Sequence, residues 1–217
     1  MFTVDMKAPG VEIRPIHQID GGSRFNQIFF TDVPIPADHL IPQQNDGWRL
    51  ATAMLMYERV AIGTHQAQGV QHQRADALMR AARRQDKSAD LRVRQDLMQL
   101  YTAEVCQSLV SMVTRARSQA GQTPGPGGSL GKLAGSNIAQ QYRDLSMSIQ
   151  GASGVAWEPG SNGGRWATEA LATQAARIAG GTDEIQKNII GDRVLGIPRE
   201  PAIDKGVAFR DLKLSSS

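Results

Sequence analysis

The chain has 217 residues, 41% hydrophobic and 21% charged, with a formal net charge of +3; this is length for one large or two small domains and apolar content for a core. The positive excess is small and dispersed with no long Lys/Arg block, which argues against a nucleic-acid footprint. The single cysteine, Cys106, cannot form an internal disulfide and points to a reducing, cytoplasmic setting; no secretory signal and no membrane span are expected, since no apolar run reaches roughly eighteen residues.

Residues 1–40 read as strands. FTVDM (2–6) alternates, APG (8–10) is a turn, and VEIRPI (11–16) alternates again. DGGSR (20–24) is a second turn, and FNQIFFTDVPIP (25–36) is aromatic and β-branched with prolines at its end. Strands this few cannot close a core by themselves and need further strands or a covering layer.

After residue 45 the pattern becomes helical. A long first helix is expected from Gly47 to Arg84, and a second from an N-cap at Asp90 to Ala120, with Leu97, Leu100, Tyr101, Val105 and Leu109 as its apolar face. GQTPGPGG (121–128) is a loop. A third helix spans Ser129–Gln150 and ends at GASG (151–154). WEPGSNGGR (157–165) is irregular, a shorter helix covers Trp166–Ile178, and AGGTDE (179–184) restarts the chain with Thr182 as N-cap of a last helix over 185–195. The tail from Glu200 is expected to be loosely ordered. The fold class is therefore mostly α: an antiparallel four-helix bundle preceded by a few strands of a truncated β domain.

Most polar residues read as structural. The four histidines, His17, His39, His65 and His72, are scattered without carboxylates or cysteine at ligand spacing, so no metal site is expected. GPGGSLGKL (125–133) contains Gly-Lys but fails as a phosphate loop, because Pro126 holds the opening glycine position and Leu133 the Ser/Thr position. The serines lack a nucleophile elbow or an adjacent base. Cys106 reads as a packing residue within an amphipathic helix.

Two stretches are more informative. In MLMYERVAIG (54–63), Glu58 shares a helix face with Leu55 and Ile62. A cation, Arg59 or a distant one, pairs with it, or it points to a bundle edge, or it is a base on a dry face, able to take a weakly acidic C–H proton beside a polarised carbonyl. In IAGGTDEIQ (178–186), two glycines permit close backbone approach, and the restarting helix presents free N–H groups to an anion or carbonyl oxygen. An ordinary C-cap followed by an N-cap would read the same.

Together these stretches resemble the acyl-CoA dehydrogenase family. The resemblance lies in FTDVPIPADHLI (30–41) with NDGWRLA (45–51), YERVAIG (57–63), LAGSNIAQQYRDLSMSIQGASGV (133–155) and AGGTDEIQKNIIGDRVLGIPRE (179–200), and it covers about the C-terminal half of a typical member. It implies that residues 1–40 are the end of the central β domain, 41–200 the C-terminal helical bundle and 201–217 a tail, and that the N-terminal domain lies outside this chain. It also implies FAD-dependent conversion of an acyl-CoA thioester to the trans-2-enoyl-CoA, one glutamate taking the α-proton while the β-hydrogen leaves as hydride. Many members carry that glutamate in a Tyr-Glu-Gly-Thr stretch, where this chain has Ala179, Gly180, Gly181 and Thr182. A second branch places the base on the first bundle helix before an arginine, and Glu58–Arg59 matches it. The resemblance thus implies Glu58 as base, with Arg59, Gly180 and Gly181 beside the substrate, the Gly180 N–H on the thioester carbonyl, and Thr182 at the flavin.

Departures from the family pattern bear on assembly. An Arg-x-x-Phe motif that grips a neighbouring subunit's FAD is replaced by RRQDKSAD (83–90). In the Gln-x-x-Gly-Gly flavin contact, Ser148 replaces the glutamine and Gly151–Ala152 the glycine pair. This resembles the actinobacterial steroid and side-chain dehydrogenases built from two different subunits. The implied partners are an acyl-CoA, an electron-transfer flavoprotein, and other subunits of a homo- or hetero-tetramer. Two other readings are a non-catalytic assembly subunit and an acyl-CoA oxidase.

Overall fold

The computed structural model describes residues 1–41, 43–65, 73–122, 127–156, 158, 162–199, 201, 206–208 and 211. Strands β1 (Val11–Ile16) and β2 (Phe25–Phe30) pair antiparallel, from Val11 opposite Phe30 to Ile16 opposite Phe25. Pro15 lacks an N–H to donate, and a two-stranded sheet, in which every strand is an edge, tolerates it. Phe25, Ile28 and Phe30 are exposed, so no described layer covers the hairpin. The strand expected at 2–6 does not form. Asp5 accepts hydrogen bonds from Lys7 N–H (2.9 Å) and Ala8 N–H (3.0 Å), which turns the chain, and Phe2 makes only an isolated bridge to Leu40.

The helices are α1 (Gly47–His65), α2 (Gln73–Arg84), α3 (Leu91–Gln119), α4 (Gly127–Gln150), the single turn α5 (Ala152–Val155), α6 (Asn162–Ala172) and α7 (Asp183–Arg193). The first helix expected over 47–84 is described as α1 and α2; residues 66–72, His72 among them, lie outside the described residues. Asp90 caps α3 as expected, accepting from the N–H groups of Arg92 and Val93. Helix α4 ends at Gln150 as expected, Gly151 (φ +58°) breaks it and the separate turn α5 follows, and the helix expected over 166–178 becomes α6 followed by a 3-10 segment, Thr173–Arg177. The 201–217 tail is almost wholly outside the described residues.

Helix α4 is the hub. It packs against α1, α2, α3, α6, the 3-10 segment and α7. Its small residues Gly131, Gly135, Ser136, Ala139 and Ser146 are buried. The core joins Leu78 and Ala82 of α2 to Leu97 and Leu100 of α3, Ile138, Leu145 and Ile149 of α4, and Trp166 of α6. On α3 the buried stripe runs Val93, Leu97, Leu100, Glu104, Ser111. Cys106 and Leu109 fall off that stripe, so both are exposed, contrary to the packing role expected for Cys106. Among the described residues no helix is long and apolar enough to cross a membrane.

Candidate functional site

The turn Ala179–Thr182 is built by its sequence. Gly180 (φ +70°) and Gly181 (φ +91°) adopt left-handed backbone, which glycine reaches without a Cβ clash. A Cβ on Gly181 would lie 2.6 Å from Nε2 of Gln186. Thr182 then caps α7, its hydroxyl accepting from Ile185 N–H at 3.3 Å. Among the described residues no group accepts the N–H of Gly180 in hydrogen-bond geometry.

Beneath this turn lies a buried polar cluster. Asp183, 3% exposed, accepts from Lys132 Nζ (2.9 Å), Ser136 Oγ (2.9 Å) and Arg177 Nε (3.2 Å). Burial pushes the Asp183 carboxyl up, but the hydrogen bonds from Lys132, Ser136 and Arg177, with the Lys132 charge, outweigh it and hold it below the usual carboxylate range. Gln186 is fully buried; its Nε2 donates to the carbonyls of Gly180 (2.9 Å) and Gly181 (3.4 Å). Its Oε1 is buried with no hydrogen-bond partner among the described residues.

Glu58 lies on α1, in a stretch where Met54, Leu55 and Tyr57 are exposed, and it is exposed itself. Neither a described cation nor a dry pocket of described residues surrounds it. The side chains of Arg59, Ile62 and His65 lie outside the described residues. Helices α1 and α7 both pack against α4, which makes α4 the common support of Glu58 and the Gly180–Thr182 turn.

Ser148 and Gly151 are at the other end of α4 from Lys132 and Ser136. The twelve-residue separation of Ser136 and Ser148 spans about 18 Å of helix. Lys87 Nζ donates to the Ser148 carbonyl (2.7 Å) and Gln85 Nε2 to Gln150 Oε1 (3.2 Å), so residues 85–87 cap this C-terminus with a cation and an amide. Thr182 and the Ser148–Gly151 pair therefore form two separate places, not one cluster.

The sequence weighed Lys132 only as a phosphate-loop lysine and gave no role to Ser136, Arg177, Asp183 or Gln186. The signal for them was a lysine within the small and apolar run GSLGKLAGS (128–136), four residues before a serine on the same helix face. A cation on such a face needs a carboxylate from elsewhere. Among the described residues no cluster of His, Cys, Asp or Glu could hold a metal. A cavity of about 540 Å³ lined by Lys187, Asn188, Ile197 and their neighbours contains none of the site residues predicted from the sequence.

The central helix α4 thus supports a diglycine turn and the capped N-terminus of α7, while Glu58 is exposed on α1. Residues 45–195 match the family model for the acyl-CoA dehydrogenase C-terminal domain, and the chain belongs to the acyl-CoA dehydrogenase family, an oxidoreductase family of FAD-dependent enzymes. It is 35% identical over 198 residues to acyl-CoA dehydrogenase IpdE1 of Mycolicibacterium smegmatis, covering 91% of this chain and 48% of that protein. In fold it is similar to the steroid ACAD Tcur3481–Tcur3483 (TM-score 0.76, 21% identity, 92% of this chain and 52% of that one). It is also similar to the ChsE4–ChsE5 complex from Mycobacterium tuberculosis (TM-score 0.66, 23% identity, 92% and 53%). The chain spans about half the length of the relatives it matches.

Proposed function

We propose that this chain is the C-terminal part of an enzyme that dehydrogenates an acyl-CoA thioester to its trans-2-enoyl-CoA, with Glu58 as the base that removes the α-proton. The observation that carries this reading is the exchange of roles between two positions. The Ala179–Thr182 turn holds no carboxylate and leaves the Gly180 N–H uncommitted, while α1 presents Glu58 on an exposed apolar face. The Gly180 N–H, next to the positive end of α7, would bind the thioester oxygen and raise the acidity of the α-carbon. Thr182 and the first turn of α7 fit a flavin, with Ser148 and Gly151 at a second flavin contact and Arg59 and Gly181 beside the substrate. Bound FAD would supply the acceptor for the β-hydrogen.

The assembly is proposed as a homo- or hetero-tetramer; in the hetero form a second kind of subunit completes the flavin contact that Ser148 and Gly151–Ala152 make only in part. The neighbour named as the ChsE4–ChsE5 complex supports that arrangement. An electron-transfer flavoprotein is the proposed acceptor, the cytoplasm the proposed location, and residue 40 the proposed boundary between β and helical domains. A second reading, a non-catalytic assembly subunit, draws on the altered flavin contacts at Ser148 and Gly151–Ala152, and the relatives named acyl-CoA dehydrogenases do not favour it.

The test is Glu58→Gln in the complete flavin-loaded enzyme. Turnover is expected to fall about a hundred- to ten-thousand-fold with fold and flavin content kept. Turnover near wild type would reject Glu58 as base and leave the assembly reading in place.

A further inference from the structure

We infer that Gln186 and Asp183 are positioning residues that hold the Gly180–Thr182 turn from beneath and so fix the Gly180 N–H for an oxygen ligand; this rests on the reading of that turn as the thioester-binding element. Gln186 pins the turn through its own carbonyls, donating to Gly180 O at 2.9 Å and reaching Gly181 O at 3.4 Å. Asp183, the residue after the cap, is held to α4 by Lys132 at 2.9 Å and Ser136 at 2.9 Å and to the preceding 3-10 segment by Arg177 at 3.2 Å. The diglycine backbone between these anchors is intrinsically mobile, so without them the N–H would sample many directions.

Gln186 is costly for stability alone. It is 0% exposed, and its Oε1 finds no partner among the described residues. A buried acceptor left unpaired destabilises a fold; an apolar side chain of the same shape removes that penalty but also takes the donor from Gly180 O and Gly181 O, so the two changes offset in stability. A methionine would fill the space, but it cannot hold two carbonyls. The glutamine is explained by what its amide nitrogen does to the turn. Gly181 belongs to the same device, since any Cβ there would collide with that nitrogen at 2.6 Å.

The experiment compares Gln186→Met, Gly181→Ala and Tyr142→Phe in the complete flavin-loaded enzyme with its partner subunits. The readouts are melting temperature, flavin per chain, kcat and KM for an acyl-CoA, and amide hydrogen exchange of residues 178–186. Gln186→Met is expected to keep melting temperature and flavin, speed exchange in the turn, and lower kcat about ten- to a hundred-fold with KM within about two-fold. Tyr142→Phe, which removes a hydrogen bond from α4 to Glu169 of α6, is expected to lower the melting temperature and leave kcat alone. Wild-type kcat in Gln186→Met beside a crippled Gly181→Ala would overturn the positioning role and leave the turn as the binding element. Wild-type kcat in both would overturn the reading of the turn itself. A kcat loss that tracks flavin loss or melting temperature, or that Tyr142→Phe reproduces, would reduce Gln186 to an ordinary structural residue and overturn the inference.

Discussion

At the scale of single residues, the buried pair Lys132–Asp183 dominates. Its side chains are 1% and 4% exposed, and Ser136 and Arg177 complete the carboxylate's partners. Lys132→Met leaves Asp183 buried with its nearest cation gone, which is expected to destabilise by roughly 3–5 kcal/mol in urea unfolding. The pH dependence follows from the depressed Asp183 carboxyl. Its contribution is whole above the unfolded value of about 3.9 and is lost as pH falls through the lower folded value. The wild-type chain should therefore lose stability steeply below about pH 4, and Lys132→Met should show a flatter slope there in the same titration. Tyr142 behaves oppositely. Burial, then its hydrogen bond to Glu169 (2.7 Å), raises the phenol far above its ordinary value, so the hydroxyl remains a donor in alkali.

At the scale of elements, the helix ends are set by short-range chemistry. Asp90 accepts from two N–H groups of α3, at 2.8 and 3.2 Å. Asp90→Ala should cost about 1 kcal/mol, read as a lower urea midpoint with an unchanged m-value. Its effect should add to that of Lys132→Met, because the two sites share no partner. In the same loop as Asp90, Lys87 donates to the Ser148 carbonyl at the C-terminus of α4 and Gln85 to the Gln150 side chain, in the segment RRQDKSAD (83–90). The sequence showed that the Arg-x-x-Phe motif was missing. The Lys87 contact spans 61 residues and required the packed helices.

At the scale of the whole molecule, the described surface is unusually apolar. Trp48 is 85% exposed, Leu91 80% and Leu195 66%, while Leu109, Val110, Met112 and Val113 form an exposed run on α3. Large apolar side chains left exposed in this number are candidates for burial against other chains. The 217-residue chain alone is expected to self-associate in size-exclusion chromatography. The complete protein co-expressed with its proposed partner is expected to elute as a tetramer with fewer than one flavin per chain by visible absorbance. A homotetramer with a flavin in every subunit would reject the two-subunit proposal.

The sequence by itself determined whatever depends on neighbours along the chain. Helical periodicity located α3 and α4, the Asp90 and Thr182 caps were legible from residue type, and the paired glycines marked the left-handed turn. These rest on hydrogen bonds and backbone sterics within about four residues. Alternation alone was weaker: residues 2–6 form no strand beyond the Phe2 bridge, and the chain turns after Asp5, whose side chain captures the Lys7 N–H. Only the tertiary structure decided which side chains are dry and which charges meet. It exposed Cys106 and Glu58, buried Gln186, and joined Lys132 to Asp183 across 51 residues. Burial and long-range pairing depend on how helices stack around α4, and no local pattern encodes that distance.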